Sequence, residues 1–225
     1  MRHGQTDSNV RGLLDSAAPG ADLNDLGRAQ ATAIPAALRG RDVSSVTVSN
    51  LVRTGQTARP LADDRLLNIR IDPDVREIPA GHLEMRGDKD AYDIYTTPVW
   101  DWSRGDLEPR VPGSENGREF FERFDAAIDR ATALGGDAPV IVSHAACIRV
   151  WVGRRAQNVS TAFAVDTPLH NTGSALLERN VAGRWELLRW QTQPMGGSQL
   201  DGASGESPGE RSDDSAGKIR EKSHV

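Results

Sequence analysis

The sequence predicts a layered α/β fold, and two observations carry that expectation. Short β-branched or apolar runs recur along the chain, and helical patterns separate them; strand alternating with helix builds a parallel sheet with helices packed on it. The runs are "SVTVS" (45–49), "NIRID" (68–72) and "PVIVS" (139–143), the last almost wholly apolar, as suits a buried parallel strand. The first helical pattern, "LNDLGRAQATAIPAAL", offers Asn24 as N-cap and an Ala/Leu/Ile face, with Pro35 expected to kink or shorten it. "LVRTGQTARPLADD" reads as a second helix. "SENGREFFERFDAAIDRATAL" reads as the longest, with Ser114 as cap and Phe120, Phe121, Phe124, Ile128 and Leu134 as its apolar stripe. "CIRVWVGRRAQ" supplies a helix after the third strand, and "SALLER" and "RWELLRWQ", flanking 180–183, read as a hairpin.

Composition narrows the function classes. The chain has 225 residues, enough for one domain with a sizeable core, but only 37% are hydrophobic, which points to a part that does not fold. From Gln193 onward the sequence turns to Gly, Ser and charge, and residues 193–225 are expected to form a disordered tail. A net charge of −5 gives no electrostatic reason for a nucleic-acid partner. The single cysteine, Cys147, excludes an internal disulfide and fits a reducing, cytoplasmic compartment. No apolar run is long enough to span a membrane.

The chemistry-bearing residues fall at strand-to-helix junctions. His144 directly follows "PVIVS", at the carboxyl edge of the expected sheet, where open α/β sheets bind ligands. Arg53 lies one turn into the helix after 45–49, Glu77 follows the second strand, and Arg2-His3 opens the chain. Two histidines, two arginines and a carboxylate suit phosphoryl transfer. Guanidinium groups match the charge spread over the equatorial oxygens, a neutral imidazole can attack phosphorus, and a carboxyl can protonate the leaving alkoxide. This chemistry needs no metal or other cofactor. HExxH, calcium-loop and Walker-type signatures are absent from the sequence.

These residues sit in ordered blocks. "RHGQTDSN", "LNDLGRAQA", "SNLVRTGQTA", "VREIPAGHLE", "GSE", "VIVSHAACIR" and "HNTGSALL", together spanning roughly residues 1–191, resemble the histidine phosphatase superfamily in its phosphoglycerate-mutase-like branch. The resemblance implies a three-layer sandwich with a mostly parallel central sheet flanked by helices. It also implies a domain over residues 1–192 with a cap segment at about 85–112. By matched position His3 is the nucleophile, with Arg2 and Arg53 binding phosphoryl oxygens and His144 as a further donor. Glu77 is the proton donor. Asn9 and the Ala145 N–H complete the phosphate pocket, with Gly4, Gln5 and Thr6 as substrate-binding members of the same motif, although Gln5 and Thr6 can equally shape the loop. Glu84 is read as structural.

Three departures stand out. Ala145 replaces the more usual Gly, and Met85 replaces the Gly after Glu84. Only Met1 remains of the apolar strand that the family places before Arg-His, so the first strand reads as truncated. Met1 alone is not expected to pair with neighbouring strands, which would leave a central slot largely empty. The natural protein is accordingly expected to begin several residues earlier, and a chain starting at Met1 to be poorly soluble or weakly active.

Within the family, mutases carry a Tyr soon after the acid, then a Lys and an Arg-Arg pair. Here no Tyr stands at that spacing, and Arg154–Arg155 comes after His144. A phosphatase acting on a small phosphorylated metabolite is therefore expected; a mutase-type phosphotransferase and a non-catalytic phosphate-binding protein are the alternatives. A homodimer stays open.

Overall fold

The computed structural model describes residues 1–202 except 135, 137 and 161. A four-residue helix α1 (Asp7–Val10) follows the Arg-His pair, and α2 (Asp25–Ala37) follows an irregular loop. Then come β1 (Ser45–Val48), α3 (Val52–Arg65) and β2 (Ile69–Ile71). Helices α4 (Lys89–Arg104) and α5 (Gly117–Thr132) precede β3 (Pro139–Val142) and α6 (Ala145–Arg155). A short α7 (Phe163–Asp166) leads into the hairpin β4 (Ser174–Arg179) and β5 (Trp185–Gln191).

The strands β2-β1-β3 form a parallel sheet, with Val46 opposite Ile69 and Val140. β4 and β5 pair antiparallel with a register shift between Leu176 and Leu177. Alternation along β3 splits the core into two layers, because successive strand residues face opposite sides. Val140 and Val142 pack with Ile34, Leu61, Val46 and Val48, beneath α2 and α3. Ile141 packs into the larger cluster that holds Trp102, Phe120, Phe124 and Trp151 from α4, α5 and α6. Helices thus cover both faces, which gives the three-layer sandwich.

Several expectations are corrected. Met1 does pair: its carbonyl accepts the Ser143 N–H at 2.8 Å and its ammonium donates to the Ile141 carbonyl at 2.7 Å. Arg2 forms a parallel bridge with Ser143, and its N–H reaches the Gly173 carbonyl at 2.9 Å. The stub therefore occupies the carboxyl-end part of the slot between β3 and β4. Beyond it lies a groove of about 400 Å³, lined by apolar side chains such as Ile128, Ile141, Trp151, Ala175 and Leu177. Burial holds the Met1 amine far below its ordinary pKa, at about 5.

Asn116, not Ser114, caps α5, in a reciprocal box with Glu119. Leu134 lies past the end of that helix and is exposed. Helix α6 begins at Ala145, with His144 as its N-cap. Residues 193–202 are folded onto the body instead of joining a disordered tail. Met195 is buried against the α2 side of the sheet, Gly196 and Gly197 turn the chain at positive φ, and the Leu200 carbonyl accepts from Gln30 Nε2 at 2.8 Å. The remainder of the expected tail, 203–225, lies outside the described residues.

Candidate active site

The site forms where β1, β3 and the N-terminal stub reach their carboxyl ends. His3 is fixed through its backbone first. Its N–H donates to the Ser143 carbonyl at 3.0 Å, and its carbonyl accepts from the Thr172 N–H and from Asn171 Nδ2. Gly4 follows, with its N–H on Thr57 Oγ1 at 2.9 Å. A Cβ at Gly4 would stand 2.7 Å from the Gly27 carbonyl oxygen, so this crossing of the first loop over α2 needs glycine.

The ring of His3 is oriented by two contacts. Nδ1 lies 2.7 Å from the Gly4 carbonyl, an acceptor only, so Nδ1 carries the proton. Arg53 Nε donates to His3 Nε2 at 3.0 Å, so Nε2 presents its lone pair. Burial, and then the charges of Arg53 and Arg2, hold the His3 pKa well below its ordinary value. The imidazole is neutral, with Nε2 as its basic atom.

Arg53, in the first turn of α3, links the parts of the site. Nη2 donates to the Asp15 carbonyl at 2.8 Å and to His144 Nδ1 at 3.3 Å. Nη1 is buried without a hydrogen-bond partner, and its nearest carboxylate oxygen, Asp15 Oδ1, is 3.7 Å away. His144 is fully buried, its ring centroid 5.1 Å from that of His3 and its Nε2 2.9 Å from Ser49 Oγ. Burial and the Arg53 charge depress its pKa as well. Arg2 is buried beside them, with Nη1 on the Leu169 carbonyl at 2.7 Å.

Glu77 rests on the N-terminus of α6. Its carboxyl oxygens accept the N–H groups of Ala146 (3.3 Å) and Cys147 (3.1 Å), as well as that of its own neighbour Ile78 (2.9 Å). Arg123 anchors the preceding loop, donating to the carbonyls of Asp74, Arg76 and Glu77 while paired with Glu115. Arg2, His3, Asn9, Arg53, Glu77 and Ala145 together line one narrow cavity of about 40 Å³.

The other predicted residues lie elsewhere. Gly4, Gln5 and Thr6 are outside the cavity wall, and so is the fully buried His144, which stands behind Arg53. The Gln5 N–H donates to Gln30 Oε1 and its side-chain oxygen accepts from Asn24, while Thr6 caps α1 against Asn9. Glu84 accepts from Ser16 and Ala17, a tie between two loops that agrees with its structural reading. Of the cap segment only Tyr95 reaches the cavity, and its hydroxyl donates to the Ile78 carbonyl. Asp15, Asn171, Ser49 and Arg123 were not singled out from the sequence. Of these, Ser49, which opens "SNLVRTGQTA", and Asn171, within "HNTGSALL", lie in matched blocks at polar positions. Among the described residues no group of three or more His, Cys, Asp or Glu side chains is arranged to hold a metal ion, and no helix is long and apolar enough to cross a membrane.

Comparison with known proteins shows the family of the chain. The model of the histidine phosphatase superfamily (branch 1) matches residues 1–193. PE_PGRS11, a PE-PGRS family protein of Mycobacterium tuberculosis, is 32% identical over 89% of this chain, which spans only 37% of that protein's length. A Yersinia pestis protein named "Probable phosphoglycerate mutase GpmB" is 32% identical over 64% of this chain and 67% of its own. Among solved structures, a mycobacterial glucosyl-3-phosphoglycerate phosphatase superposes with a TM-score of 0.70 at 24% identity, covering 85% of this chain and 96% of that one. The α-ribazole phosphatase of Shigella flexneri gives 0.67 at 25% identity, covering 86% and 94%.

Proposed function

The chain belongs to the histidine phosphatase superfamily, and from that premise we propose that it hydrolyses small phosphate monoesters through a phosphohistidine on His3. His3 Nε2 attacks phosphorus and the ester P–O bond breaks. Arg2, Arg53 Nη1, Asn9 and the Ala145 N–H receive the equatorial oxygens. The leaving oxygen takes its proton from Glu77. Glu77, now a carboxylate, then takes a proton from water as that water attacks the phosphohistidine, and inorganic phosphate departs. His144 presents Nδ1 to Arg53, so it donates to the phosphoryl group only once protonated. An arriving phosphate dianion favours that form.

One observation carries the reading: the tautomer of His3 is fixed by the Gly4 carbonyl, with Nε2 turned toward Arg53. That tautomer leaves Nε2 unprotonated, as a nucleophile requires, and its lone pair is freed for phosphorus when Arg53 turns to the phosphoryl oxygens. The narrow cavity favours a small alcohol as leaving group. Phosphatase names among the structural neighbours support hydrolysis over transfer. The buried single thiol suits a cytoplasmic setting. Nitrophenyl phosphate hydrolysis, with and without chelator, tests the activity directly. Turnover that survives chelator and vanishes in His3→Ala is expected; turnover that persists in His3→Ala would refute the mechanism.

A further inference from the structure

The cavity wall beyond the phosphoryl-binding end is asymmetric in charge. Its cations, Arg2 and Arg53, both serve the phosphoryl group, and no third Lys or Arg lines it among the described residues. Its second carboxylate besides Glu77 is Asp15. That side chain is mostly buried and held in place: Oδ2 accepts the Ala21 N–H at 3.1 Å, and Oδ1 stands 3.7 Å from Arg53 Nη1. The rest of the wall is apolar or already engaged. Leu13, Leu14 and Ala80 carry no charge, the Tyr95 hydroxyl is on the Ile78 carbonyl, and Ser16 is bound to Glu84.

The cap segment supplies no spare cation either. Arg86 pairs with Asp88, Lys89 with Asp93, Arg104 with Asp101 and Arg110 with Glu119, all at the surface. A leaving group bearing a carboxylate would therefore find no unengaged positive partner and would meet the like charge of Asp15.

From this geometry we infer that Asp15 sets the charge of the leaving group. The site takes monoesters of neutral or cationic small alcohols and discriminates against monoesters of hydroxy acids. The inference rests on the phosphatase reading above and adds the substrate class to it. Arg53 stays available for phosphate because Asp15 lies beyond hydrogen-bond distance from Nη1, so the same carboxylate orients the guanidinium and screens the alcohol.

The test compares kcat/KM for three monoesters of primary alcohols: phosphoethanolamine, glycerol 3-phosphate and 3-phosphoglycerate, with nitrophenyl phosphate as reference. The first two are expected to exceed 3-phosphoglycerate by about tenfold or more. D15N is expected to narrow that ratio at least about fivefold, mainly by improving 3-phosphoglycerate. D15S, which keeps an acceptor for the Ala21 N–H, gives the same readout if D15N does not fold. A wild-type protein that prefers 3-phosphoglycerate, that turns over nitrophenyl phosphate but none of the three, or whose ratio is unmoved by D15N and D15S would overturn the inference while leaving the phosphatase reading intact. A wild-type protein inactive on all four would overturn both.

Discussion

The two ends of β3 differ in how completely they are tied. At the carboxyl end, Ser143 donates its N–H to Met1, accepts from His3 and places its hydroxyl on the Val75 carbonyl at 2.7 Å. His144 then reaches Ser49 and Arg53. At the amino end, Pro139 and Ile141 border an apolar groove facing β4. The contrast teaches that the proposed catalytic residues are held by local hydrogen bonding around the strand ends. A disturbance at the groove should therefore change stability, and one at the pocket should change chemistry.

The sharpest way to break that comparison is Arg53→Ala. It removes the contact to His3 Nε2 and a charge aimed at the phosphoryl group in a buried site, so kcat/KM should fall by at least about a hundredfold, roughly 3 kcal/mol or more. A fall below about tenfold in steady-state assays would mean that Arg53 is only structural.

Next in size is Glu77→Gln. Alkyl phosphates, whose leaving alkoxide needs a proton, should slow by about 10²-fold or more, and nitrophenyl phosphate by less than about tenfold. Equal losses on both would leave Glu77 a binding role only.

The groove gives the converse test. An apolar run of about five residues joined ahead of Met1 can continue the stub between β3 and β4, burying side chains and turning the buried amine into an amide. The midpoint of thermal unfolding should rise by about 5–10 °C while kcat/KM stays within about twofold. A large gain in activity would show that the pocket does depend on the groove.

A further effect concerns pH. His3 and His144 are held neutral in the folded protein below their ordinary pKa of 6.5. The unfolded chain therefore binds more protons as pH falls below that value, and folding stability is lost on acidification and regained above it. Each histidine contributes a slope of up to about 1.4 kcal/mol per pH unit. Urea midpoints between pH 7.5 and 5 should show the decline, and His144→Asn should make it shallower. A flat profile would contradict buried neutral histidines.

What the sequence revealed follows the range of the interactions involved. His3, Arg53, Glu77 and His144 were legible because each sits in a short block at a strand-to-helix junction, where local pattern fixes position. Asn24 was legible as a cap for the same reason. Ser114 was preferred to Asn116 although the Asn-x-x-Glu spacing of a capping box was present. Asp15 was not legible, because its meaning comes from Arg53, 38 positions away. Met195 was hidden by its Gly- and Ser-rich surroundings, since a single apolar residue that finds a tertiary pocket leaves no periodic trace. Met1 was underestimated because composition says nothing of the backbone partners waiting at Ile141 and Ser143.

The most direct measurement is the covalent intermediate itself. Protein mixed with labelled monoester and quenched should carry phosphate in an acid-labile, alkali-stable bond, located by mass spectrometry on His3 and missing in His3→Ala. Label on another residue, or full turnover with no label at any quench time, would contradict the account.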